Sequence, residues 1–138
     1  MKTFLILGAG TAGTMMALKM AKKLDPQEWK IVLVDQDDRH IYQPGLLFVP
    51  FGVYKPQDVL QTRRKYIPSR VEFIESKIEL IEPDNNRVTL AKDNRQISYD
   101  MLVVATGADI RPEETEGLTD GGWHKNIFDF YYFVNSSE

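Results

Sequence analysis

The stretch Gly8-Ala9-Gly10-Thr11-Ala12-Gly13 spaces three glycines in a way that suits the binding of a pyrophosphate. Gly8 permits a tight turn, and Gly10 leaves no Cβ between backbone and phosphate. Gly13 lets the following helix press on the preceding strand, with Ala17 extending the small-residue face, and Thr11 and Ala12 complete the turn. A helix N-terminus then faces the anion. A second candidate, Asp35, stands 22 residues beyond Gly13. A carboxylate at that distance accepts hydrogen bonds from the adenosine ribose hydroxyls and repels a 2′-phosphate. The competing readings are a merely tight turn and, for Asp35, a solvated strand-end acid like its neighbours Asp37 and Asp38.

These residues need a strand, a helix and a second strand to position them, and the pattern supplies all three. The apolar run Phe4-Leu5-Ile6-Leu7 leads straight into Gly8. Thr11 to Leu24 carries Ala12, Met15, Met16, Leu18, Met20 and Leu24 as apolar positions, and Lys22 and Lys23 suit the C-terminal end of a helix that Asp25-Pro26 stops. Lys30 to Asp35 is a continuous apolar run of the kind buried in a parallel sheet, which completes a βαβ unit.

Further along, Arg39 to Pro56 loses periodicity and is read as an irregular, apolar loop with proline and glycine. Such a loop is costly in water, so it covers a ligand, such as a flat aromatic ring, or packs against protein. Lys55 to Tyr66 suggests a short helix, with Pro56 in its first turn and Arg63, Arg64 and Lys65 as a solvated C-terminal end. Val71 to Glu75 is a third strand. Ile78 to Ile81, Arg87 to Ala91 and Gln96 to Tyr99 follow, separated by Pro83-Asp84-Asn85-Asn86 and Lys92-Asp93-Asn94, which describes an antiparallel meander. A last apolar strand, Met101 to Ala105, ends at Thr106-Gly107-Ala108, where backbone amides would face the crevice in which α/β sheets bind ligands.

The 138 residues, 43% of them hydrophobic, suit one globular domain. A formal net charge of −3 with interspersed signs gives no electrostatic footprint for nucleic acid. There is no cysteine, so disulfides and thiol redox chemistry are excluded for these residues, and redox work would need a cofactor. The first apolar stretch does not read as a signal peptide, no run reaches membrane-spanning length, and a cytoplasmic location is expected. His40 and His124 lack second ligands at metal-binding spacing. The serines sit in no nucleophile-elbow context, and Glu113 and Glu114 fall in a charged loop. No catalytic residue and no metal ligand is assigned.

Taken together, G-x-G-x-x-G-x-x-x-A, an acidic strand end, a meander and Ala105-Thr106-Gly107 resemble the FAD domain of the two-dinucleotide-binding-domain flavoproteins. Within that superfamily the chain resembles the N-terminal part of sulfide:quinone oxidoreductases. This closer likeness rests on His40-Ile41-Tyr42-Gln43-Pro44-Gly45-Leu46-Leu47, Pro50-Phe51-Gly52, Arg63-Arg64-Lys65, Val104 to Asp109 and the segment from Trp123-His124 to Phe128-Asp129-Phe130-Tyr131. The resemblance implies a Rossmann-like α/β domain with a parallel sheet and an antiparallel meander, spanning residues 1–131, with residues 132–138 unmatched. It implies FAD as cofactor. Gly8, Gly10 and Gly13 would cradle the pyrophosphate, Asp35 would hold the ribose and Ile78 would lie beside adenine. Pro44-Gly45 and Ala105-Thr106-Gly107 would approach the flavin.

In that family the isoalloxazine takes electrons from sulfide through reactive cysteines and passes them to a quinone. The full-length enzymes are often peripherally membrane-associated. The second dinucleotide domain, the returning C-terminal segment and the cysteines are not found in these 138 residues, so the chain is expected to be truncated relative to the family and incompetent alone. Trp123, Phe128, Phe130, Tyr131, Tyr132 and Phe133 would form an apolar patch for self-association or a missing domain, unless they pack beneath the meander. The alternatives are a stand-alone NAD- or ADP-binding module, the N-terminal part of a type II NADH dehydrogenase, and a ligand-free remnant that self-associates.

Overall fold

A computed structural model describes residues 1–133, and the expected unmatched tail lies outside the described residues from 134 onward. The chain groups into two compact units, one formed by Met1–Asp38 with Thr62–Gly107, the other by Arg39–Gln61 with the chain from Ala108.

The first unit is built on β1 (Lys2–Leu7), α1 (Thr11–Lys23) and β2 (Trp29–Asp35). Two further strands, β5 (Val71–Glu75) and β9 (Met101–Val104), join them in a sheet of order β5-β2-β1-β9 in which every neighbour is parallel. The register pairs Leu5 with Val32 and with Leu102, so the apolar runs lie side by side. Alternation then sorts their side chains to two faces. Phe4, Ile6, Ile31 and Leu33 pack with Ala17 of α1, while Leu5, Leu7, Val32 and Val34 pack with Val88, Leu90 and Ile97. The latter three come from the meander, β6 (Ile78–Glu82), β7 (Arg87–Leu90) and β8 (Gln96–Ser98), which pairs antiparallel in chain order. Sheet and meander are therefore two layers, and α1 is the third. Both faces of the parallel sheet are covered, which is why its strands read as unbroken apolar runs.

The turn chemistry of the meander is visible in its backbone. Asn86, after β6, and Asn94, after β7, both take left-handed conformations, with φ of 48° and 52°. Asparagine tolerates that region better than most side chains.

The second unit departs from the expected irregular loop. It contains β3 (Arg39–Ile41), a four-residue helix α2 (Gln43–Leu46) and all but the last residue of β4 (Leu60–Thr62), with β3 paired to β4. The single helix expected over Lys55 to Tyr66 is not formed. Instead, a 3-10 turn at Pro56–Asp58 and another at Arg63–Lys65 flank β4. Pro56 does open a turn, but Val59 is withdrawn into a cluster with Leu46 and Val49, and its carbonyl accepts the Tyr42 N–H. Burial and pairing of this segment outweigh its helical start signal.

The aromatic C-terminal residues pack within the second unit. The Tyr131 hydroxyl donates to the Ala108 carbonyl at 2.6 Å, and Phe133 packs against the Leu46, Val49 and Val59 cluster. Phe128, Phe130 and Tyr132 stay substantially exposed. Among the described residues no helix is long and apolar enough to cross a membrane, and no group of three or more His, Cys, Asp or Glu could hold a metal ion.

Candidate functional site

A cleft of about 380 Å³ opens within the first unit, lined by Gly8, Val34, Asp35, Gln36, Ser76, Lys77, Ile78 and Thr106. These residues sit at or just beyond the C-terminal ends of β1, β2, β5 and β9, the edge at which open α/β sheets bind ligands. The topology thus brings together four residues singled out from sequence, Gly8, Asp35, Ile78 and Thr106, that are up to 98 positions apart.

The glycine turn is shaped by two close backbone approaches. Gly8 has φ of +94°, its N–H donates to the Val34 carbonyl at 2.8 Å, and a Cβ there would overlap the Ala105 carbonyl and sit 2.8 Å from Thr106 Cα. Gly8 therefore serves the close approach of the Ala105-Thr106 backbone that follows β9 as well as the turn. At Gly13 a Cβ would overlap the Gly8 carbonyl oxygen and lie 2.9 Å from its carbon, so α1 can reach the turn only because this residue has no side chain.

Gly10 is different in kind. Its φ of −67° suits any residue, and a Cβ built there meets no atom within 4 Å. What the missing side chain leaves is open space in front of α1. Gly10 is the N-cap residue, it provides no side-chain cap, and no acidic residue occupies the first turn. The first hydrogen bond of the helical series runs from the Thr14 N–H to the Gly10 carbonyl at 3.0 Å. The amides that precede it, including those of Thr11, Ala12 and Gly13, are the donors a helix start offers to an anion.

Asp35 closes the adjoining side. Its Oδ2 accepts the Ala9 N–H at 2.6 Å and also pairs with the Arg63 guanidinium, while its backbone carbonyl accepts the Ser76 N–H at 2.8 Å. The expectation that Arg63, Arg64 and Lys65 form a uniformly solvated end is corrected here. The Arg63 side chain is only 13% exposed and reaches both Asp35 and, at 3.4 Å, Asp37. Arg64 remains 58% exposed.

Ser76 and Lys77 were not singled out in the sequence, yet both line the cleft. Buried Ser76 donates its hydroxyl to the Lys77 carbonyl and accepts the Lys92 N–H, fixing the corner between β5 and β6. Their position directly before Ile78 is the signal that could have marked them. Ala105 and Gly107 do not line the cleft; the Ala105 N–H donates to the Leu7 carbonyl at 2.7 Å, and Gly107 has φ of +85°. Pro44 and Gly45 belong to the second unit, in α2. The lack of a side chain at Gly45 serves packing there, since a Cβ would press to 2.5 Å from Val59 Cγ1.

The Glu72 carboxylate, on β5 away from these residues, is held below its ordinary 4.5 by the hydrogen bond from Lys30 and, more weakly, by Arg95.

The chain is similar to known proteins along most of its length. It is 29% identical over 115 residues to the mitochondrial sulfide:quinone oxidoreductase of Dictyostelium discoideum, covering 83% of this chain and 25% of that protein. It is also 29% identical over 121 residues to the type II NADH:quinone oxidoreductase of Staphylococcus aureus, covering 86% and 29%. Among solved structures, the sulfide:quinone oxidoreductase of Aquifex aeolicus superposes with a TM-score of 0.80 at 25% identity, over 99% of this chain and 30% of that one. The chain thus spans about a quarter of the length of the curated relatives it matches. With a three-layer fold, a glycine turn at the end of β1 and a family model matching residues 2–135, the chain belongs to the pyridine nucleotide-disulphide oxidoreductase family.

Proposed function

We propose that the cleft of the first unit binds the ADP portion of FAD, and that the chain is the FAD-binding part of a sulfide:quinone oxidoreductase-like flavoprotein. The observation that carries this reading is the convergence of Gly8, Asp35, Ile78 and Thr106 on one cleft beside an uncapped helix start. The fit is chemical as well as spatial. Amides at the start of α1 suit the pyrophosphate, and Gly10 leaves the space that a Cβ would fill. Asp35 suits the ribose hydroxyls, and the Ile78 side chain gives an apolar surface for adenine.

FAD, when bound, supplies two-electron redox chemistry that no side chain of this chain offers. The residues around the cleft bind and orient, and none is assigned to a bond-breaking step. With no cysteine among the 138 residues, sulfide-dependent quinone reduction is not expected from this chain alone. A type II NADH:quinone oxidoreductase-like parent is the second reading, favoured by the equal identity to the Staphylococcus aureus enzyme.

Calorimetric titration of the purified chain tests the proposal. ADP and FAD should bind with 1:1 stoichiometry and raise the melting temperature as ligand concentration rises. Absence of binding by either at millimolar concentration would overturn it.

A further inference from the structure

We propose that Arg63 is a positioning residue that orients the Asp35 carboxylate for the nucleotide ribose, an inference that rests on the cleft being an ADP site. The geometry points to this because Arg63 touches Asp35 without lining the cleft that Asp35 faces. Both contacts of the carboxylate fall on the same oxygen. Oδ2 takes the Ala9 N–H and the Arg63 guanidinium, which leaves Oδ1 as the oxygen for a ligand.

That division of labour matters for an aspartate. The torsion that turns its carboxylate is broad and nearly two-fold, so a group held by one donor can swivel and exchange its oxygens. A second donor on the same oxygen, from a different direction, fixes the plane. Arg63 is itself held. Its second terminal nitrogen reaches Asp37, and its backbone N–H donates to the Asp38 carbonyl at 2.9 Å. The next residue, Arg64, donates its N–H to Asp38 Oδ1 at 3.1 Å. The 3-10 turn is thereby anchored on the acidic end of β2, and a forked guanidinium spans two carboxylates where an ammonium would serve one well. Ala9 completes the chain of contacts, so Arg63, Asp35 and the glycine turn form one hydrogen-bonded unit before any nucleotide arrives. Preorganisation of this kind lowers the ordering cost of binding.

The test is discrimination between ADP and 2′-deoxy-ADP, measured by calorimetry on the wild-type chain, R63Q and R63K. A hydrogen bond from the 2′-hydroxyl to a well-placed charged acceptor contributes roughly tenfold or more to affinity, so wild type should prefer ADP by that ratio. In R63Q the ratio should fall toward one, with R63K in between. A purely structural role would instead weaken both ligands equally and keep the ratio. A wild-type ratio in R63Q overturns the inference and leaves the ADP site standing. A wild-type chain that binds ADP without preferring it likewise overturns the inference alone. Failure of wild type to bind either nucleotide overturns the ADP site itself. If R63Q does not fold, a full wild-type ratio in R63K overturns the inference, and failure of both variants to fold assigns the ion pair to stability and overturns it too.

Discussion

Gly10 and Gly13 are three residues apart in one motif, yet their structural surroundings predict opposite outcomes when each gains a side chain. At Gly13 the added Cβ of Gly13→Ala would overlap the Gly8 carbonyl oxygen and stand 2.9 Å from its carbon. Carbon atoms pack best at about 3.5 to 4.0 Å, so the carbon contact alone asks α1 to withdraw by at least about half an ångström. The neighbours resist. Ala17 is fully buried against the sheet, and the Thr14 hydroxyl is bonded to the Ala9 carbonyl at 3.0 Å. Overpacking typically costs about 1–3 kcal/mol, here about 2–3 kcal/mol because the overlap is with backbone, and alanine returns about 1 kcal/mol of it through its higher helix propensity. The expected net loss is about 1–2 kcal/mol, or roughly 3–8 °C in melting temperature for a chain of this size. Urea unfolding should show a lower midpoint with an unchanged slope.

Gly10→Val places its Cβ where no atom outside its chain neighbours lies within 4 Å, at a φ of −67° outside the left-handed region. The stability cost should stay near 1 kcal/mol, the difference between glycine and an aliphatic residue at an N-cap. Nucleotide binding should nevertheless fall by at least about a hundredfold, because the new methyl groups fill the space proposed for phosphate. The two measurements separate the two roles. Gly10→Val with wild-type ADP affinity would refute the phosphate site, and Gly13→Ala with an unchanged urea midpoint would refute the close approach of α1.

Other perturbations test the frame around the site. Leu33→Ala removes a fully buried side chain from the face that packs on α1 and should cost about 2–5 kcal/mol in chemical denaturation, enough to leave much of the chain unfolded near 37 °C. Glu72→Gln should change stability at neutral pH by no more than about 1 kcal/mol, because the Glu72 pair with Lys30 is about a third exposed and screened. Since Lys30 and Arg95 lower the Glu72 pKa on folding, that contribution is present above the unfolded value near 4.5 and disappears as pH falls through the lower folded value. Urea midpoints of wild type and Glu72→Gln should therefore converge at low pH, and a gap that widens on acidification would contradict the ion pair.

How much was legible beforehand depended on whether the deciding contacts were local. The β1, α1 and β2 elements follow from short apolar runs and glycines whose meaning is carried within a few residues, and the meander follows from Asn86 and Asn94 at turns that need a left-handed backbone. Their stacking on opposite faces of one sheet follows from alternation once the register is set. Arg63 is the opposite case. Three consecutive cations look alike in a sequence, and the one drawn inward is chosen by carboxylates 26 and 28 positions earlier. The failed helix over Lys55 to Tyr66 has the same origin, because Val59 is committed to Leu46 and Val49 by contacts beyond its own segment. The resemblance puts Gly45 on the flavin side, while its surroundings give its small size a packing reason within the second unit.

Every residue lining the cleft lies in Met1–Asp38 or Thr62–Gly107, whereas Pro44 and Gly45 lie in the other unit. The proposed site, a cleft of about 380 Å³, is at the small end of the roughly 300–1,000 Å³ range of ligand sites, and on that proposal it would hold the adenosine and pyrophosphate part of FAD. If those contacts supply most of the affinity, ADP and FAD should bind this chain within about tenfold of each other, a difference of about 1.4 kcal/mol. Gly10→Val should weaken both in parallel. FAD binding more than a hundredfold tighter than ADP would mean that the flavin half is held as well, and would refute the proposal that the ADP portion supplies most of the affinity. Parallel titrations of ADP, FAD and FMN decide the matter, with FMN, which has a flavin and no adenosine, expected to show no binding at concentrations that saturate ADP.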